Sequence, residues 1–226
     1  MSIAARNAIL AGAALPYDAE VDYLESTGTQ WIDTGVPYNH TIVFEADIAK
    51  TANIASGYLF GILWASGGAS TLRRWGGNWS NDYKRFYPQY YTTTDVFYSV
   101  DLVNGVKHTI WADANKFAFD GMVINVTSST FDPTVDVSVY LLARHTYAPQ
   151  LDPNPVTGII AWRIFSCKIS NGNTLVRDFI PVRFTNELGN SEGAMYDRVS
   201  GQLFRNSGTG AFVIGPDASA ANVGGV

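Results

Sequence analysis

Residues 42–48 read IVFEADI, with Ile42, Phe44, Ala46 and Ile48 alternating with Val43, Glu45 and Asp47. Apolar side chains at every second position put one face of an extended segment into a core and leave the other in water. Moving outward, residues 58–64 (YLFGILW) form an unbroken apolar run of strand length, suited to burial on both faces. Residues 135–141 repeat the alternation, with Val135, Val137, Val139 and Leu141 on one side. Residues 108–112 and 116–119 are strand-like, and Asp120-Gly121 is a hairpin dipeptide leading into 122–126. Residues 159–169 (IIAWRIFSCKI) predict a long strand that turns at Asn171-Gly172 into 175–181, where Pro181 must end the strand or stand at an edge. Short strands at 202–205 and 211–214 complete the set. Many strands at short spacing with no helices between them predict a β-sandwich or jelly roll.

Composition agrees. Asp outnumbers Glu by 15 to 5 and Lys is scarce, whereas Thr, Val and aromatics are plentiful, a balance that favours strands and turns over helices. The 226 residues suit one generous all-β domain. Charged residues make up 15% against roughly 25% in an average globular protein, which excludes disorder for the bulk of the chain. A net charge of -5 argues against nucleic acid as a partner. No apolar run is long enough to insert in a membrane as a helix. The single cysteine, Cys167, rules out an intrachain disulfide framework, and His40, His108 and His145 are too scattered for a short metal motif. Residues 1–16 are Ala-rich, end at Pro16 and read as an N-terminal arm, helical or docking, with a weaker likeness to a signal peptide. Residues 17–215 are then the domain and 216–226 a flexible tail.

Residues 23–35, YLESTGTQWIDTG, resemble the opening of a group of phage and gut-bacterial proteins with a concanavalin A-like (laminin-G-like) jelly roll. Residues 164–182 (IFSCKISNGNTLVRDFIPV) and 193–215 (GAMYDRVSGQLFRNSGTGAFVIG) are similar to the same group in the same order. Between them, 107–123 (KHTIWADANKFAFDGMV) resembles a laminin-G hairpin that turns at Asp-Gly. The resemblance spans about residues 20–215 and implies two antiparallel sheets in a lectin-like module of phage particles or bacterial surfaces. It brings no ligand and no set of functional residues. Such jelly rolls often carry calcium; loop oxygens at Asp82, Asp113, Asp120 and Asp152 are available, but no spacing places an ion.

Catalytic signals are sparse. Glu20-Val21-Asp22-Tyr23-Leu24-Glu25 has the Glu-x-Asp-x-x-Glu spacing of retaining glucanases on this kind of jelly roll, with Glu20 as nucleophile and Glu25 as acid. It sits on the first strand rather than mid-chain, and Tyr23 departs from the pattern, so a solvated edge strand is the plainer reading. Glu45-Ala46-Asp47 has Lys50 where the last carboxylate belongs. Cys167 lies on an apolar strand and reads as a buried structural thiol.

Residues 73–98, RRWGGNWSNDYKRFYPQYYTTTDVFY, are the stretch richest in recognition chemistry. Gly76-Gly77 and Pro88 mark turns within it. Trp75, Trp79, Asp82, Tyr83 and Tyr87 offer flat apolar faces and polar edges, which suit either a sugar ring or a protein partner. Core packing competes with both readings. Residues 144–158 form a second long loop, where three prolines fix the presentation of His145, Tyr147 and Asp152. Tyr147 joins the binding candidates. The expectation is a non-enzymatic structural or adhesion protein, a decoration, fibre or tail-associated component at a virion surface. Its partners would be itself, as a homo-oligomer, other virion subunits or a host-surface glycan. The alternative is a bacterial surface or secreted carbohydrate-binding module, and a glycosidase using Glu20 and Glu25 is more distant.

Overall fold

The computed structural model describes residues 14–51, 56–65, 73–80, 85–91, 102–125, 136–147 and 156–218. The expectations placed on residues 1–13 and 219–226, on Asp82 and Tyr83, and on Asp152 lie outside them. The described residues hold strands and no helix. In chain order these are β1 (Ala19–Glu20), β2 (Leu24–Glu25), β3 (Ile32–Pro37), β4 (Ile42–Lys50), β5 (Gly57–Trp64), β6 (Arg73–Ser80), β7 (Arg85–Tyr91), β8 (Lys107–Ala112) and β9 (Lys116–Phe119). Then come β10 (Met122–Asn125), β11 (Ser138–Leu141), β12 (Arg144–Tyr147), β13 (Val156–Thr157), β14 (Trp162–Asn171), β15 (Thr174–Thr185), β16 (Ser191–Asp197), β17 (Gln202–Phe204) and β18 (Val213–Ile214).

Two sheets result, largely antiparallel. The larger runs β10-β9-β8-β4-β14-β15-β16-β17, with β2 and β18 extending from β14 and β1 pairing β15. The smaller runs β13-β12-β5-β11-β3, with β6 and β7 added beside β5, and its β5–β12 pair is parallel. One apolar core lies between them. Phe44 of β4 stacks on Phe60 of β5 with ring centroids 3.9 Å apart, and Trp79 of β6 meets Trp162 of β14 edge-on at 5.9 Å. Phe86 of β7 stacks on Phe117 of β9 at 5.1 Å. Each such side chain contributes roughly 1.5–3 kcal/mol by leaving water, so these rings dominate the cohesion of the two layers.

The alternation at 42–48 holds: Ile42, Phe44, Ala46 and Ile48 are buried on β4. Residues 58–64 fall in β5, buried on nearly every position. Asp120 and Gly121 both take positive φ in the tight turn between β9 and β10, as a two-residue hairpin loop requires.

Several boundaries move. Gly76-Gly77 and Pro88 mark no turns: they lie inside β6 and β7, with Gly77 opposite Pro88. Among the described strands β7 pairs with β6 alone, and an edge strand tolerates a proline that cannot donate. Pro181 does not end its strand either. β15 continues to Thr185, and Pro181 stays in the ladder through its carbonyl, which accepts the Val21 N–H at 3.0 Å. Residues 144–147 and 156–157, at the ends of the expected second loop, are strands that pair with each other. The fold also runs past 215. Ala218 donates its N–H to the Glu20 carbonyl at 2.9 Å, and Arg183 pairs with Asp217 at 3.0 Å.

The first and last motifs of the chain meet in space. Thr209 donates its N–H to the Thr29 carbonyl, Ser207 to that of Trp31, and Trp31 to Asn206 Oδ1. Gln30, 2% exposed, links them: its Oε1 accepts the Thr27 N–H at 2.7 Å and its Nε2 donates to the Thr209 carbonyl at 3.0 Å. A fully partnered buried amide of this kind fixes one geometry because every alternative leaves a polar atom unpaired.

Candidate functional site

Two of the binding candidates in 73–98, Trp75 and Trp79, belong to the core. Trp75 and Trp79 are 1% and 0% exposed, so neither presents a face to any ligand. Trp75 donates its indole N–H to the Asp113 carbonyl at 3.1 Å and packs on Phe60 and Tyr38. Both are inward positions of β6, which the two-sheet core claims. Tyr87 lies on β7 opposite Asn78. Tyr147 is exposed on β12, opposite Trp64 of β5. The buried Trp75 and Trp79 therefore share no surface with the exposed Tyr147.

A different surface does converge. A groove of about 580 Å³ lies on the larger sheet, lined by Glu20, Asp22, Tyr23, Asp47, Lys107, Arg163, Phe165 and Ser166, with Pro181 and Ala218 among its walls. Its floor comes from an irregularity in β14. Ile164 pairs with Ile48 and Ser166 with Asp47, so Phe165 is an extra residue without a partner on β4. Such a bulge re-aims side chains. Here Phe165 and Ser166 are both half-buried and both line the groove, while Ile164 and Cys167 on either side are buried in the core.

The groove's charged groups are held in place. Lys107 Nζ lies 2.9 Å from Asp47 Oδ2, and Thr109 Oγ1 donates to Asp47 Oδ1 at 2.7 Å. Burial would raise the Asp47 carboxyl, but hydrogen bonds from Thr109, Lys107 and Ser166 and the Lys107 charge outweigh it and hold the carboxyl below its ordinary range. Arg163 donates Nε to Glu25 at 2.7 Å and lays its guanidinium 4.3 Å over the Tyr23 ring. Tyr23 meets Phe165 edge-on at 5.6 Å, and Lys107 Nζ lies 5.5 Å from the Phe165 ring centre. Glu20 accepts the Tyr17 hydroxyl at 3.0 Å, and burial together with that carboxylate pushes the Tyr17 phenol upward.

Glu20 therefore lines the groove, whereas Glu25 is engaged by Arg163. Among the described residues no group of three or more His, Cys, Asp or Glu side chains is arranged to hold a metal ion. Sequence reasoning passed over Arg163, Phe165 and Ser166 because it treated 159–169 as one regular strand, and Lys107 because it read 107–123 only as a hairpin. The signal was present: Trp162, Ile164, Cys167 and Ile169 are spaced by two, three and two, and the three marks the bulge.

A second cluster lies on the smaller sheet. Tyr140 is sandwiched between Trp31 and His145, with both ring separations 4.3 Å, and the His145 ring lies within 8° of parallel. His145 Nδ1 lies 3.0 Å from the Ser138 carbonyl, which assigns that nitrogen the proton. Burial pushes the His145 imidazole down, more than the Ser138 bond and the Asp33 carboxylate raise it. The unfolded chain then takes up its proton first. Stability is expected to stay flat above about pH 6.5 and to fall as pH drops below it, until the folded imidazole protonates as well. Urea denaturation between about pH 7.5 and about pH 5 checks this, and His145→Phe should flatten that part of the profile. An unchanged slope in His145→Phe would place the dependence elsewhere.

The chain matches no protein-family model, and no curated protein matches it.

Proposed function

We propose that this chain is a non-enzymatic adhesion and display module on a concanavalin A-like (laminin-G-like) jelly roll, carried at a phage particle's surface. The groove on the larger sheet is its recognition site. The two-sheet core and the meeting of the first and last motifs support the fold reading. One observation carries the functional reading: the groove combines aromatic rings with charged side chains of which all but Asp22 are already held by neighbours. Binding there costs little side-chain entropy, which is where a shallow site otherwise loses affinity. Glu25 is committed to Arg163 and Glu20 to Tyr17, an arrangement that favours holding a ligand over transferring a proton.

Two measurements test the reading. On a glycan array the protein is expected to bind, and Phe165→Ala is expected to reduce binding about tenfold without loss of fold, because Phe165 is only half-buried. Release of reducing ends from a bound polysaccharide, abolished by Glu20→Gln, would instead make the groove an active site. Solution mass addresses the particle setting. The full chain is expected to be a defined oligomer and a variant starting at Pro16 a monomer. If both are monomers, the arm does not assemble the protein and a free-standing module of the same fold is the better reading.

A further inference from the structure

We infer that the groove takes an uncharged, hydroxyl-rich glycan segment and rejects anionic and cationic ones; this rests on the groove being the recognition site. Three carboxylates (Glu20, Asp22 and Asp47) and two cations (Lys107 and Arg163) line it. Both cations already have carboxylate partners, Asp47 at 2.9 Å and Glu25 at 2.7 Å. A sulfated or uronic-acid glycan would bring negative charge into a lining already in negative excess. To recruit either cation it would have to displace a protein carboxylate.

A cationic ligand fares no better. Each ring already has one of the protein's own cations beside it, Arg163 at Tyr23 and Lys107 at Phe165. An ammonium seated on the floor would sit beside both like charges, which repel it.

Neutral hydroxyls fit what remains. The Asp22 carboxylate has no side-chain partner among the described residues, and Glu20 accepts one hydroxyl, so acceptors are open. Arg163 directs Nε to Glu25 and Lys107 directs one bond to Asp47, and each carries further N–H donors. A sugar hydroxyl donates and accepts at once, so neighbouring hydroxyls can bond a carboxylate and a cation together without disturbing their charge balance. The C–H face of the ring meets the half-buried Phe165. The volume of about 580 Å³ lies within the range of small-ligand sites, roughly 300–1,000 Å³.

The experiment uses the full chain on an array carrying neutral, uronate- or sulfate-bearing, and amino-sugar glycans, with calorimetry on the best binder. Neutral glycans are expected to bind, and affinity should change less than about twofold between about 20 and about 300 mM salt. Asp22→Ala, at an exposed position, and Phe165→Ala should each weaken binding about tenfold. A preference for charged glycans that falls with salt and is lost in both variants would overturn the ligand class and leave the groove as the site. No binding in any arm, or binding untouched by both variants, would overturn the groove itself.

Discussion

Gly76→Ala is expected to destabilise the protein by about 3–5 kcal/mol, a large share of the roughly 5–15 kcal/mol that holds a typical domain folded. Gly76 and Gly61 face each other across β6 and β5 with φ of +152° and +146°. That is an extended conformation essentially restricted to glycine. A Cβ on Gly76 would stand 2.4 Å from the Phe60 carbonyl oxygen and 2.7 Å from Gly61 Cα. These are backbone atoms in the middle of a paired strand, so nothing swings aside. Relief requires β5 and β6 to separate, which disturbs Phe60 and Trp75 where they pack together in the core at 5.1 Å. Gly172→Ala separates the two causes. Gly172 also has positive φ, +57°, but its Cβ would meet nothing within 4 Å, so only conformational strain of about 1 kcal/mol applies. Urea denaturation of both variants checks the difference. Equal losses would mean that close strand approach contributes nothing at Gly76.

The same pair shows how far the sequence can be read. Alternation at 42–48 and the apolar run at 58–64 announce their strands because one strong force, burial, writes a local pattern. Gly76-Gly77 carries the opposite local message. Glycine and proline punctuate turns when only neighbours in the chain are weighed, whereas here the glycines serve a close contact with β5, a separate strand, and Pro88 serves an edge. Three rings of the aromatic stretch show a related effect. Trp75, Trp79 and Phe86 have the composition of a recognition surface, but their burial is decided by the facing sheet, whose Phe44, Trp162 and Phe117 lie elsewhere in the chain. The groove was harder still to see. Tyr23, Asp47, Lys107 and Phe165 come from four separate segments, and only sheet order brings them together. Its one local signature is the three-residue step between Ile164 and Cys167.

Neighbours in sequence can also part in space, and Arg177-Asp178 does so with consequences for stability. The two carry opposite charges, yet successive strand residues point to opposite faces. Asp178 instead takes a two-pronged bond from Arg198, at 2.9 Å to each carboxylate oxygen, while Arg177 turns toward Asp197 at 3.7 Å. Asp197 is 0% exposed and is the hub of the β16–β17 turn. Its Oδ1 accepts the N–H of Asp178 at 2.8 Å and of Val199 at 3.1 Å. Its Oδ2 accepts the N–H and the hydroxyl of Ser200, at 3.2 and 2.7 Å. Asp197→Ala strands three backbone donors and leaves Arg177 facing a cavity. Breaking a buried charged cluster on one side costs about 3–5 kcal/mol, because the remaining partners stay buried without compensation. Asp197→Asn keeps the Oδ1 bonds but turns an amide NH₂ toward Ser200 and Arg177, so a loss of about 2 kcal/mol is expected. Ser200→Ala removes one hydroxyl bond and should cost about 1 kcal/mol. Urea midpoints should therefore fall most for Asp197→Ala, less for Asp197→Asn and least for Ser200→Ala, at unchanged denaturant slope. If Asp197→Ala costs no more than Ser200→Ala, the carboxylate does not organise the turn.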